Sequence, residues 1–242
     1  MLINMRNALL SGGKRDIFAD WYPRWGSEDI IFAFNGIYNA GADAEHSSSA
    51  TSWIDVANGK TATRYNSSSS SPLWTDVGMR FDSTKRGLLL TLSLANVTRG
   101  FTFEAFGYYG VNWGIMGCLA RSRSAISEVM PFASNTGASI NINSVVDYIV
   151  PSCPTTSDLC LTCDAPGNVV IYHNGTPVKT ATPGVTAFNK LKTSNRLVIG
   201  LTADGSFPPN GSTLYGVTLY QDAISESEVA ALYAANVKNY IG

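Results

Sequence analysis

The sequence predicts an all-β protein, a two-sheet antiparallel β-sandwich of jelly-roll type with one short C-terminal helix. Three observations predict it. Apolar and polar residues alternate with period 2, as in Leu159, Leu161 and Cys163 or Phe101, Phe103 and Ala105, the pattern of strands with one buried face. Turn signals separate these runs, above all Asn174-Gly175 between the apolar run 169–172 and Val178; both residues tolerate the positive φ of a type I′ hairpin. Only the C-terminal end changes to a helical period, opened by a capping box at Ser225 and Glu228.

Residues 1–28 read as an N-terminal arm. Alternation is poor there, Gly12-Gly13 breaks any helix, and Trp21, Tyr22 and Trp25 suit docking or assembly, on the chain's own sandwich or on a partner. Residues 29–242 form the sandwich. Ile30-Ile31-Phe32-Ala33-Phe34 is its first strand, halted by Asn35-Gly36. A polar loop, 41–52, holds His46 and leads to Trp53-Ile54-Asp55-Val56 and the turn Asn58-Gly59. The serine run 67–71 is a low-complexity loop closed by Pro72. Strands follow at 79–81 and 88–94. The run 101–106 continues through Tyr108-Tyr109 into a glycine-rich aromatic segment. Further strands are expected at 115–119, 127–132, 139–150, 159–163, 169–172, around Val178, at 197–199 and at 213–220. The closing helix carries Ile224 and Val229 at the staple positions and a stripe of Val229, Leu232, Tyr233 and Val237.

Composition narrows the partners. Lys plus Arg number 17 against 18 Asp plus Glu, a net charge of −1 without a basic block, so no nucleic-acid partner is expected. No run of apolar residues is long enough to span a bilayer, and the N-terminal apolar stretch is too interrupted for a signal peptide. The chain is therefore expected to be made in the cytoplasm. Cys118, Cys153, Cys160 and Cys163 are too few for a disulfide scaffold. Cys160 and Cys163 fall on opposite faces of one strand, which fits buried hydrophobes better than a zinc pair.

Several stretches together resemble one family. Phe101-Thr-Phe-Glu-Ala-Phe, Asn168-Val-Val-Ile-Tyr-His-Asn-Gly-Thr-Pro-Val, Asn195-Arg-Leu-Val-Ile-Gly and the closing strand and helix from Leu214 resemble the laminin G-like, concanavalin A-like jelly rolls. Phe34-Asn-Gly-Ile-Tyr-Asn-Ala-Gly and Ala50-Thr-Ser-Trp-Ile-Asp-Val-Ala-Asn-Gly are similar to the opening of bacterial and phage members, with Asn35 replacing the usual Asp. Residues 5–15 resemble the N-termini of tail-associated proteins in prophages of Gram-positive gut bacteria. The resemblance implies a carbohydrate-binding or host-surface-recognition module, virion-associated, with bacterial surface glycan as one partner and other tail proteins held through residues 1–28. Some members bind calcium through loop oxygens, which makes Asp55 and Asn58 candidate ligands, with Asp76 and Asp82 further away.

Glycosidases of this fold need two carboxylates about 5–5.5 Å apart for retention. The spacing Glu-x-Asp-x-x-Glu is absent, and Glu104 is the one glutamate inside a convincing strand. No nucleophile elbow, metal-hydrolase motif or phosphate loop occurs. The sequence is therefore read as that of a non-enzyme. Sugar binding needs aromatic faces with short hydroxyl and amide side chains; Tyr65, Trp74, Tyr109, Asn112 and Trp113 are the candidates, with Tyr108 and Phe207 beside them. Core packing competes for each of these aromatics. Two alternatives remain open, a particle-decorating structural protein that binds no sugar and a glycoside hydrolase of the same fold.

Overall fold

The computed structural model describes residues 17–66, 69–82, 84, 86–110, 114–115, 117–120, 129–134, 137–142, 146–149, 154–201 and 210–242. Two antiparallel sheets face each other. Across the first, the strand order is Thr176–Ala181, Val169–His173, Thr155–Asp164, Gly100–Tyr109, Thr213–Tyr220, Gly78–Arg80 and Leu73–Thr75, with Ile30–Asn35 also pairing with Thr213–Tyr220. Across the second it is Val146–Ile149, Gly137–Ile142, Val129–Ser134, Gly117–Ala120, Arg196–Ile199, Leu88–Thr91, Thr61–Arg64 and Trp53–Ile54. The run expected at 139–150 is two paired strands. Thr61–Arg64 and Leu73–Thr75 are additional strands, too short and too polar to show a period in the sequence.

Alternation decides what each face buries. Along the Gly100–Tyr109 strand, Phe101, Phe103 and Ala105 enter the core between the sheets, with Phe32, Trp53, Leu119, Leu161, Leu197 and Leu219. Phe106 faces outward, yet it too is buried, in a second cluster with Ile30, Cys160, Tyr220, Val229 and Leu232. This outer layer exists because the C-terminal helix, Glu226–Asn236, lies across the first sheet. Its capping box forms as expected: Ser225 Oγ accepts from the Glu228 amide, and the Glu228 carboxylate accepts from the Ser225 amide. The Asn174-Gly175 turn has φ of 53° and 72°, the type I′ signature. Cys160 and Cys163 do point to opposite faces, one into each cluster.

A second helix, Val185–Lys192, was not legible in the sequence. It inserts Phe188 and Leu191 into the inter-sheet core, with the Phe188 ring stacked on Phe101 at 6.3 Å. Two apolar residues three apart are too little for a periodic signal. Among the described residues, no helix is long and apolar enough to cross a membrane.

Residues 17–28 pack on the chain's own sandwich, while residues 1–16 lie outside the described residues. A short 3₁₀ turn, Ile17–Asp20, sets Phe18, Trp21 and Tyr22 into the outer cluster, where Trp21 meets Tyr240 edge-on at 5.2 Å. Arg24, held at φ 61°, ties the arm to the helix: its guanidinium grips both Glu228 oxygens at 2.7 and 3.1 Å and reaches Asp222 at 2.7 Å and Asp29 at 3.3 Å. Removing it leaves Glu228 without its cation, while Asp29 and Asp222 keep only the more exposed Arg99. Arg24→Ala is expected to destabilise the chain by about 2 kcal/mol, the scale for a partly buried bidentate pair that also loses its like-charge relief. Thermal melts at neutral pH read the loss, and an unchanged midpoint would show the arm to be energetically idle.

Candidate functional site

The described surface carries a shallow, open groove of about 470 Å³ at the edge of the second sheet, lined by Thr51, Ser52, Thr63, Arg64 and Asn66. Both walls are fixed from behind. One wall is the loop at 50–52, anchored by Trp74, whose indole N–H donates to the Ala50 carbonyl at 2.8 Å. Trp74 is braced edge-on by Trp53 at 5.1 Å, and the Trp53 indole donates to the Asn35 carbonyl at 3.0 Å. The other wall is the Thr61–Arg64 strand and the turn after it. Asn66 Oδ1 accepts from the Ser69 amide at 2.9 Å and the Ser69 hydroxyl at 3.1 Å, and Arg64 donates to the Ser69 carbonyl. Three hydroxyls, an amide and a guanidinium thus sit on a rigid frame, a set that hydrogen-bonds vicinal hydroxyls and pairs with an anion.

The groove lies beside the serine run, and Tyr65, Trp74 and Tyr109 are not among the residues that line it. Tyr65 turns away into a small buried cluster with Cys118, Val198 and Leu201. Trp74 is only 8% exposed and serves as the anchor just described. Tyr109 is fully buried, its hydroxyl donating to the Ala105 carbonyl at 3.1 Å. Asn112, Trp113, Phe207 and Cys153 lie outside the described residues. The signal that marks the lining is the exposed polar alternation of Thr61 and Thr63, continued by Arg64.

Asp55 and Asn58, the calcium candidates, form a loop clamp. Asp55 is buried; one carboxylate oxygen accepts from the amides of Ala33 at 2.6 Å and Ala57 at 2.9 Å, the other from Asn58 at 2.9 Å and Lys60 at 3.3 Å. Asn58 donates its amide N–H groups to the Ile30 and Ile31 carbonyls at 2.8 and 3.1 Å. Burial holds the Asp55 carboxyl above its ordinary range against the pull of those four bonds. Among the described residues, no three His, Cys, Asp or Glu side chains converge as a metal-binding group. His46 contacts the Gly36 carbonyl through Nδ1 at 3.0 Å, and His173 meets Ser157 Oγ through Nε2 at 3.2 Å.

A second constellation was hidden from the sequence. Glu104 and Asp158 lie on neighbouring strands, on the outer face of the first sheet, at 1% and 0% exposure. Glu104 accepts from Asn236 Nδ2 of the C-terminal helix at 2.6 Å. Among the described residues, the Asp158 oxygens meet no donor of good geometry; the group they face is the Glu104 carboxyl. Burial pushes Glu104 up to about 7, tempered by hydrogen bonds from Thr218 and Asn236. Burial, then the Glu104 charge, raises Asp158 well above its ordinary value. Two carboxyls this close in an apolar site hold at least one proton between them at neutral pH.

No protein-family model matches the chain, and no curated protein matches it. Solved structures do. A Trypanosoma rangeli sialidase in complex with sialic acid is similar with TM-score 0.65 and 16% identity, covering 90% of this chain and 34% of that one. The same enzyme with 2,3-difluorosialic acid as a covalent intermediate gives TM-score 0.65 and 14% identity, covering 96% and 36%. The botulinum neurotoxin serotype D binding domain gives TM-score 0.59 and 11% identity, covering 86% and 51%. The chain thus spans about a third of the length of the sialidase chains it matches.

These matches correct one expectation. The reading as a non-enzyme is overturned, because the same fold recurs within chains that are sialidases. What the chain shares with the sialidases and with the toxin domain alike is the antiparallel β-sandwich.

Proposed function

We propose that the chain binds carbohydrate in the groove around Arg64, taking the acidic end of a surface glycan. The carrying observation is the groove's lining: three hydroxyls, one amide and one guanidinium, on one wall anchored by buried tryptophans and another held by bonds from Ser69 to Asn66 and from Arg64 to Ser69. A guanidinium pairs bidentately with carboxylate or phosphate, and this geometry selects an acidic sugar over a neutral one. The hydroxyls and the Asn66 amide match vicinal sugar hydroxyls. A matched sialidase structure holds sialic acid, an acidic sugar, which supports the same class. The laminin G-like resemblance and the prophage-like N-terminal residues support a bacterial surface as the place where this glycan is met.

A glycan array of sialylated glycans, phosphorylated cell-wall polymers and neutral glucans tests the proposal, run with calcium and again with chelator. Selective retention of acidic glycans is expected. Arg64→Ala is expected to weaken it by at least about tenfold, the loss of one charge-assisted hydrogen bond, and Arg64→Lys, which keeps the charge but not the fork, is expected to weaken it less. Free sugar measured in the same wells separates binding from cleavage. A blank array under both conditions would favour the particle-decorating alternative.

A further inference from the structure

We propose that the Glu104–Asp158 pair is a proton-operated latch for the C-terminal helix and the N-terminal arm: doubly protonated, it holds both against the first sheet, and on losing a proton it loosens them. This inference is independent of the sugar-binding reading.

The geometry carries it. The pair lies under the helix, and its link to the helix is the Asn236–Glu104 hydrogen bond of 2.6 Å. Asn236 is the last residue of Glu226–Asn236, where the chain passes into the π-helical turn Val237–Ile241. That turn packs Tyr240 against Trp21 of the arm and Phe106 of the sheet. Helix end, arm and acid pair therefore meet at one place. The hydroxyls of Tyr220 and Tyr240 and both Asp158 oxygens are buried there without partners of good geometry among the described residues. A buried polar group left in this state favours any opening that admits water.

When the pair is neutral, the cost of the closed state is small. Losing one proton places a negative charge among Phe106, Tyr220 and Leu232, with no cation acting on the pair among the described residues. The groups facing the pair from every packed element are Tyr22 from the arm, Cys160 and Tyr220 from the sheet, and Tyr240 after the helix. Burial pushes all four up, so none of them ionises near neutrality. Tyr172, beside Cys160, is raised as well, and Glu228, whose charge reaches Tyr220, is held down to about 2 by Arg24. The charge of Asp55 reaches Tyr22. His173 lies next to Ser157, and burial lowers it from its ordinary value.

Hydrogen–deuterium exchange of the full chain at pH 5.5 and pH 8.5, corrected for intrinsic exchange, tests the latch. Protection over 226–241 and 17–28 is expected to fall about tenfold at the higher pH while the strands at 101–106 and 159–163 keep theirs, the signature of sub-global opening. Glu104→Gln retains an acceptor for Asn236 and offers Asp158 a donor, so the fall should vanish in this variant; Asp158→Asn serves the same purpose if the first variant does not fold. Equal protection at both pH values, a fall spread evenly over all strands, or a fall that persists in the variant would each overturn the proposal.

Discussion

Asp55→Ala is expected to cost about 4 kcal/mol and to lower the melting midpoint by roughly 10 °C for a chain of this size. The Asp55 carboxylate accepts four backbone N–H groups, and one of them, Ala33, belongs to the central part of the Ile30–Asn35 strand. An alanine satisfies none of them. The amides of Ala57, Asn58 and Lys60 lie in a loop at the sandwich edge and can rehydrate, but Ala33 is fully buried and its amide cannot. The strand pairs with Thr213–Tyr220, which in turn pairs with Gly100–Tyr109, so the damage reaches the sheet centre. Asn58→Ala is the contrast. It removes two hydrogen bonds to carbonyls near the surface and should cost only about 1 kcal/mol. Melting with calcium and with chelator separates this clamp from a cation site: the hydrogen-bond clamp predicts one midpoint under both conditions, whereas a resident calcium would make the wild type chelator-sensitive and Asp55→Ala insensitive.

How much of this was legible depended on sequence distance. The hairpin at Asn174-Gly175, the alternating strand through Phe103 and the capping box at Ser225 and Glu228 are local patterns, and each forms as read. The serine run marks an exposed loop, but the groove beside it and its lining were not legible. Tyr65 and Trp74 bracket that loop in sequence, but large aromatics beside a strand gain more by burial than by display, so Arg64 and Asn66 line the groove instead. The Glu104–Asp158 pair was invisible for a different reason: strand register brings the two together, and no local spacing encodes register. The same holds for Arg24, whose three acidic partners are Asp29 at the start of the sandwich and both ends of the Asp222–Glu228 stretch. Its left-handed backbone, at φ 61°, has no mark in the sequence.

The stability of the chain is expected to peak near about pH 4.5 and to fall on both sides, more acid than the usual optimum between about pH 5 and 8. The two limbs have separate owners. Glu228 is held down to about 2 by hydrogen bonds from Arg24; its contribution is complete above its ordinary value of 4.5 and is lost as the pH drops through about 2. In a network about a quarter exposed to solvent, that loss amounts to about 1–2 kcal/mol after screening. Asp82, lowered by Arg86, adds to the same limb. Glu104 runs the opposite way. Burial raises it to about 7, so the folded state favours its protonated form. The stability this confers is complete below 4.5 and lost as the pH rises through about 7, about 3 kcal/mol over that span. Asp158 and Asp55, both raised by burial, extend the decline in the same direction. Thermal melts from pH 2 to 9 on the wild type and on Glu104→Gln decide the assignment. The variant should keep the acid limb, which belongs to Glu228 and Asp82, and lose most of the alkaline one, becoming the more stable protein above about pH 7. Superimposable alkaline limbs would mean that the charge appearing above neutrality is not buried at Glu104, and the outer face of the first sheet would then have to be solvated in a way that its 1% exposure does not permit.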